Sequence, residues 1–230
     1  MLDGAQAQAR LGIGPPASLA WVGFSSVNKL RNPGTNAWRE QTGLLSVWIL
    51  SMFAPAPGTQ VIIPFRTDTS GEIVNDRYFG KVPADRLLVR EAEGYLLFRA
   101  DGKYRSKIGL GPARAKAALG SYSRPKKLLT LVLYDKPGTA TRYVNSMWEQ
   151  QASPYAGDVV NSYNDGPPAP GKPPLGGFYE IESSSPAAAL AAGESITHVQ
   201  DTFHFVGPEA DLDRLANAVL GVSLSGVPSL

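Results

Sequence analysis

Short apolar runs separated by turn residues recur along the whole chain. They are rich in Val, Ile, Leu and aromatic residues and are bounded by Gly, Pro, Asn or Asp. This pattern is typical of a many-stranded, mostly antiparallel β protein. The predicted strands are residues 21–27, 44–53, 61–65, 86–89, 95–99, 128–134, 142–148, 158–163, 177–182 and 195–206.

One segment has convincing helical spacing. Leu212, Leu215, Ala216 and Val219 fall at positions i, i+3, i+4 and i+7, and Gly221 follows as a stop signal. The pattern predicts a short C-terminal helix over 209–220 that closes the fold. Residues 1–18 are expected to be irregular. No repeat or strong linker divides the chain, so we expect a single domain over 1–230 whose N-terminal part is incomplete.

Composition supports a turn-rich β domain with a real core. Of 230 residues, 43% are hydrophobic, only 18% are charged, and there are 24 Gly and 19 Pro. The absence of Cys excludes disulfides, thiolate metal sites and a Cys nucleophile, and only two His are present. No nucleotide-binding glycine motif is complete. The sequence therefore predicts no metal site and no cofactor.

Membrane and export signals are missing from the sequence. The longest apolar stretch, 44–57, contains two serines and two prolines and falls short of the roughly 20 residues that a spanning helix needs. The first residues lack the basic and apolar regions of a signal peptide. We expect a soluble protein with no membrane partner, and the sequence leaves its compartment and oligomeric state undecided.

Charge is distributed unevenly along the chain. Residues 99–127 contain nine basic residues and one acidic residue, whereas residues 149–213 contain ten acidic residues and one basic residue. The two segments could attract each other within the fold, or the first could face an anionic partner. Because the basic residues are scattered among Gly, Pro and Ala, we expect a solvated, partly self-complementary surface and no nucleic-acid partner.

Two carboxylates alternate along one predicted strand. Glu180 and Glu182 share one face of residues 177–182, with α-carbons about 6.6 Å apart. Two like charges this close need solvent, a partner or a shared proton. They could lie on a wet outer face, or they could form a carboxylate site in which one acts as a base.

Further polar and aromatic side chains could complete a site for a polyol. Trp148, Asn161, Tyr163 and Asp165 supply the rings, amides and carboxylates that bind sugars, although turn and core roles are equally typical of them. His198 lies on the polar face of strand 195–206, which could face solvent or ligand. Lys103 and Arg105 suit an anionic group or ion pairs. The Pro- and Gly-rich loop 166–177 is a connector or a rim.

Several motifs resemble a known superfamily. The run Glu180-Ile181-Glu182, Pro186, the turn 190–195 and the closing segment 202–205 are similar to the C-terminal signature of galactose-mutarotase-like (aldose 1-epimerase-like) proteins. A closer resemblance, over roughly residues 20–222, is to an uncharacterised bacterial family assigned to that superfamily. Its motifs are Trp38 and the segments 42–50, 101–109, 143–149 and 160–167.

The resemblance implies an antiparallel β-supersandwich with a sugar cleft on a concave sheet face. It implies Glu182 as the catalytic base, with Glu180 as the second choice. The superfamily also uses a histidine general acid upstream of the glutamate. This chain has no His before His198, and the segment around Trp48 occupies that region. Expected contacts to a small or oligomeric carbohydrate are Trp48, Lys103, Arg105, Trp148, Asn161, Tyr163, Asp165 and His198.

Two function classes follow from these residues. The first is an aldose 1-epimerase-like isomerase that uses a Glu base. The second is a non-catalytic glycan-binding or structural domain, which the missing upstream histidine favours. Glycoside hydrolysis is awkward because its two carboxyl groups must flank the scissile bond, whereas Glu180 and Glu182 share one face of one strand.

Overall fold

The computed structural model describes residues 1–230 as two packed antiparallel β-sheets with helices on one side. The mostly β, antiparallel fold class with a C-terminal helix is therefore confirmed. The helices are α1 (Gly4–Leu11) and α2 (Glu209–Leu220), followed by a 3₁₀ turn at Leu224–Gly226. The strands are β1 (Ala20–Arg31), β2 (Trp48–Phe53), β3 (Thr59–Pro64), β4 (Leu87–Arg90), β5 (Tyr95–Arg99), β6 (Ser106–Leu110), β7 (Ala118–Ser123), β8 (Leu128–Tyr134), β9 (Val160–Asn164), β10 (Tyr179–Ser184) and β11 (Ser195–Val206).

The two sheets differ in size and in what covers them. The large sheet has the order β1-β11-β8-β7-β3-β5-β4, and the small sheet has the order β2-β10-β9-β6. Side chains such as Phe98 from the large sheet and Ile181 from the small sheet fill the layer between them. The other face of the large sheet packs Phe203 against Leu212 and Leu215 of α2. Both helices lie on that side, so the outer face of the small sheet has no helical cover.

The N-terminal prediction was wrong. Residues 1–18 were expected to be irregular, but α1 occupies Gly4–Leu11. Its start is stabilised by a capping box: the Asp3 carboxylate accepts from the Gln6 backbone N–H, and the Gln6 side chain accepts from the Asp3 backbone N–H. Gly12 ends the helix in the left-handed conformation, with φ of 73°.

Strand prediction failed at three places. Residues 142–148 form no strand and contribute only an isolated bridge between Tyr143 and Ala156. Strands β6 and β7 were not predicted, because Lys107, Gly109 and Gly120 interrupt their apolar patterns. Strands β5, β8 and β11 and helix α2 have the predicted bounds. No helix has both the length and the apolar character needed to cross a membrane.

Candidate functional site

The outer face of the small sheet brings together polar side chains from four strands. In the strand register, Glu182 lies opposite Leu50 on one side and Asn161 on the other. Tyr163 lies between Glu180 and Lys107 in the same way. Because side chains alternate across a strand, these residues share the face that points away from the core. The uncovered sheet face therefore brings two carboxyl groups, an ammonium group and a phenol close together.

A cleft of ≈ 370 Å³ opens on this face, and we call it the carboxylate cleft. Its wall is mostly apolar, with a few charged groups near the floor, which is the usual make-up of a small-molecule site. Its lining residues are Trp48, Leu50, Met52, Tyr78, Phe79, Arg105, Lys107, Ser146, Met147, Trp148, Glu149, Tyr163, Leu175, Phe178 and Glu180.

A buried ion pair lies beneath the cleft. Glu182 is fully buried, and its Oε2 accepts hydrogen bonds from Lys107 Nζ at 2.9 Å and from Trp48 Nε1 at 2.8 Å. The Lys107 ammonium also lies 4.7 Å from the centre of the Trp48 ring. The second oxygen, Oε1, has no hydrogen-bond partner within the chain. Glu182 therefore has a fixed orientation and one free acceptor.

Glu180, unlike Glu182, lines the cleft itself, as does Glu149 at the rim segment that carries Trp148. Burial raises the pKa of Glu180 to about 8, and the nearby negative charge of Glu182 adds to this shift. The nearby Lys107 ammonium opposes this shift only in part. At neutral pH the group is mostly protonated, so it can both donate and accept a hydrogen bond.

A second layer of hydrogen bonds supports Lys107. The Tyr78 hydroxyl donates to Asp158 Oδ2 at 2.6 Å and accepts from Asn161 Nδ2 at 2.9 Å. The Tyr78 ring lies 5.1 Å below the Lys107 ammonium. Space for this network exists because position 109 is glycine: a Cβ there would lie 2.1 Å from Asp158 Oδ2. The network fixes one wall of the cleft.

The rim combines an exposed indole with an anchored loop. The Trp148 ring is 87% exposed although it borders the cleft. Leu175, from the proline-rich loop 166–177, also lines the cleft. The buried Asp165 carboxylate holds that loop by accepting the backbone N–H groups of Gly176 and Gly177 at 2.9 and 2.8 Å. These bonds lower the pKa of Asp165, although burial opposes them.

The whole sequence, residues 1–230, matches the profile described as Family of unknown function (DUF6786). The chain belongs to this family. No curated protein matches its sequence. Membership fits the sequence resemblance to an uncharacterised family, and it assigns no activity.

Three solved structures are similar to this family member at low sequence identity. One, from Escherichia coli K12, has a provisional assignment as an aldose 1-epimerase; it shares 12% identity, with 79% of this chain and 56% of that chain covered and a TM-score of 0.45. The Slr1438 protein from Synechocystis sp. PCC 6803 shares 10% identity, with 81% and 51% covered and a TM-score of 0.43. A TPR-domain containing protein from Parabacteroides distasonis ATCC 8503 shares 14% identity, with 92% and 32% covered and a TM-score of 0.48.

The chain spans about half the length of the first two structures and about a third of the third. Values this low do not indicate function. What the DUF6786 member does has to be argued from its own cleft.

The structure places most of the sequence-predicted site residues at the carboxylate cleft. Five of them line it, namely Trp48, Arg105, Trp148, Tyr163 and Glu180. Glu182 and Asn161 lie directly beneath it and are buried. Both glutamates lie on one face of β10, as expected, with Glu180 at the cleft and Glu182 buried below it.

Three predicted contacts lie elsewhere. His198 is on the opposite side of the small sheet, buried between the sheets, where its Nε2 is 2.9 Å from Ser183 Oγ. At 1% exposure it lines neither the carboxylate cleft nor the cleft beside it, so the structure does not bring His198 together with the other predicted contacts. Asp165 is occupied by the loop it holds. Lys103 lines a neighbouring cleft.

Sequence reasoning missed several members of the site. Lys107 was seen only as part of a basic segment, and the alternation that aims it at Glu182 depends on the unpredicted strand β6. Tyr78 and Phe79 come from an irregular segment with no periodic pattern. No three carboxylate or imidazole groups converge in a way that could hold a metal ion.

Proposed function

We propose that the protein binds a carbohydrate in the carboxylate cleft. The observation that carries this proposal is that the Glu180 side chain and the exposed Trp148 side chain line the same cleft. Sugars present C–H faces that stack on indole rings and hydroxyls that both donate and accept hydrogen bonds. The cleft offers both kinds of contact within one cavity.

The polar groups near the floor match a polyol rather than a simple apolar ligand. A protonated Glu180 can donate to one hydroxyl oxygen and accept from a second hydroxyl. The Lys107 ammonium and the Trp48 indole also reach the cleft, although both already bond to Glu182. An apolar ligand would displace water from Glu180 without replacing the lost hydrogen bonds, and this desolvation would reduce the binding free energy.

Glycan-array binding followed by calorimetry tests this proposal. We expect Trp148→Ala and Glu180→Leu to weaken binding of the best array ligand at least tenfold, whereas Phe24→Ala leaves it unchanged. Phe24 is an aromatic control, 39% exposed on β1 and outside the cleft. Trp148 is so exposed that its removal should not change the free energy of unfolding. The proposal would be contradicted if no glycan on the array bound, or if binding were unaffected by the substitutions at Trp148 and Glu180.

A second candidate is proton transfer at the anomeric centre, as in an aldose 1-epimerase. The observation that favours it is the position of Glu180 and Glu182 on one face of β10, where burial and the charge of Glu182 raise the pKa of Glu180 to about 8. In this reaction Glu180 protonates the ring oxygen while the C1–O5 bond breaks and the O1 proton passes to the carboxyl pair. The aldehyde then rotates and closes by the reverse transfers, so the pair recovers its proton.

Polarimetry across common aldoses separates this reaction from binding alone. Catalysed mutarotation by the wild type should fall to the uncatalysed rate in Glu180→Gln and persist in the exposed-surface variant Glu91→Gln. Equal rates with and without the wild-type protein would leave a non-catalytic binding protein.

A further inference from the structure

A second cleft of ≈ 560 Å³ adjoins the first, and we call it the cationic cleft. It lies between the segment that precedes β6 and the proline-rich loop. Its lining residues are Phe79, Lys103, Tyr104, Arg105, Pro167, Pro168, Ala169, Pro170 and Gly171. Phe79 and Arg105 line both clefts, so the two cavities meet at these side chains.

The charges in the cationic cleft have one sign. Lys103 and Arg105 form no ion pair with any carboxylate, and no acidic side chain lines the cleft. This contrasts with other basic residues of the same segment. Lys107 pairs with Glu182, and Arg124 pairs with Glu209. The segment therefore satisfies part of its charge within the fold and leaves two cations facing this cavity.

Arg105 is held in an orientation suited to an anion. The central carbon of its guanidinium lies 3.9 Å from the centre of the Phe79 ring, which is a cation–π contact. A guanidinium held in this way can donate a bidentate hydrogen bond to a carboxylate or sulfate. Phe79 is 42% exposed and Tyr104 43% exposed, which provides ring surface for a sugar beside the charge.

The other wall of the cationic cleft is the proline-rich loop, whose backbone has restricted freedom. Proline residues restrict the backbone of loop 166–177, and Asp165 fixes its far end through the backbone N–H groups of Gly176 and Gly177. A preformed wall lowers the ordering cost of binding. These features indicate that the cationic cleft is a binding site for a second unit of the ligand. They are not typical of a merely solvated basic surface.

We infer that the cationic cleft binds an acidic unit, carrying a carboxylate or a sulfate, of an oligosaccharide whose neighbouring unit occupies the carboxylate cleft. This inference rests on the proposed function and adds the ligand class to it. Arg105 receives the anionic group, Lys103 adds a second positive charge, and Phe79 and Tyr104 contact the ring.

The test uses an array of glycans in matched pairs, each acidic member beside its neutral counterpart, either methyl-esterified or desulfated. Wild type should retain acidic members at least tenfold more tightly, with affinity falling as NaCl rises. Lys103→Gln and Arg105→Gln should remove that preference. Arg90→Gln should keep it, because Arg90 is an exposed arginine that lines neither cleft. Comparing the preference within the uronate pairs with the preference within the sulfated pairs shows whether the cleft binds a carboxylate or a sulfate.

A second measurement separates the two proposals. Sodium glucuronate and sodium sulfate are titrated while the Arg105 side-chain N–H resonance is followed by NMR, and a saturable shift is expected. Equal retention of acidic and neutral members would overturn the acidic-unit inference and leave carbohydrate binding standing. A silent array with a saturable Arg105 shift would keep the anion site and overturn carbohydrate binding. Silence in both experiments would overturn both.

Discussion

The Lys107 ammonium lies 2.9 Å from Oε2 of Glu182, and both groups are almost completely shielded from water. Glu182→Gln would leave the ammonium buried without a counter-charge, so we expect a loss of about 3–5 kcal/mol in the free energy of unfolding. Combining it with Lys107→Met should recover much of that loss, because the Gln oxygen can still accept from Trp48. Urea denaturation of both single variants and the double variant measures the coupling. Additive losses would show that the two charges do not depend on each other.

The protonation of Glu180 predicts a pH-dependent stability. Its pKa is about 8 in the folded protein, against an ordinary value of 4.5, which we take for the unfolded chain. The folded state therefore binds the proton more tightly, and this contribution to stability is complete below pH 4.5 and is lost as the pH rises through 8. Relative to Glu180→Gln, wild type should lose stability between pH 5 and pH 9. Glu91→Gln, at an exposed carboxylate, should track wild type; a constant gap between wild type and Glu180→Gln would refute the shift.

Removing the Asp165 carboxylate should release the proline-rich loop. Asp165→Ala deletes the acceptor of the Gly176 and Gly177 N–H groups and of the Tyr163 hydroxyl. We expect faster hydrogen exchange and proteolysis confined to 166–177, with a stability loss of about 1–3 kcal/mol. Mass-spectrometric hydrogen exchange measures both the site and the extent. Unchanged exchange in the loop would mean that its prolines alone fix its shape.

Gly109→Ala should disturb the cleft from below. The added methyl group would lie 2.1 Å from Asp158 Oδ2 and 2.3 Å from Asn161 Nδ2, so the hydrogen bonds to Tyr78 must break or shift. We expect a loss of about 1–3 kcal/mol in the free energy of unfolding, which is typical of overpacking. Gly138→Ala, where the added methyl meets no atom within 4 Å, should be close to neutral. Equal melting temperatures for the two variants would contradict the close approach.

Alternation along β10 and β11 could be predicted from the sequence, but what each face contacts could not. The polar residues on one face of β11 suggested solvent or ligand. The structure instead buries His198 and Gln200 between the sheets, where Ser183 and Ser51 complete their hydrogen bonds. Those partners come from strands more than ten residues away in sequence. A polar face in the interior is recognisable only once the neighbouring strand is known.

The candidate site was partly predictable for the same reason. Glu180 and Glu182 stand in one strand, and period-two spacing alone puts them on one face. Lys107 and Tyr78 join them through pairings of β6 with β9 and through an irregular segment, neither of which leaves a local pattern. Helix α1 did leave one, because Asp3 followed three residues later by Gln6 is a capping box.

Within each strand of the small sheet, the residues that pack against the other sheet alternate with the residues on the uncovered outer face, which could bind a ligand. On β10, Tyr179, Ile181 and Ser183 face the interior layer, whereas Glu180 lines the carboxylate cleft and Glu182 lies buried beneath it. Substitutions at Tyr179, Ile181 or Ser183 would disturb the packing between the sheets. Substitutions at Glu180, Trp148 or Arg105 could change which ligand binds while leaving the fold intact. Relatives sharing this scaffold could therefore diverge in ligand choice through a handful of outward-facing side chains.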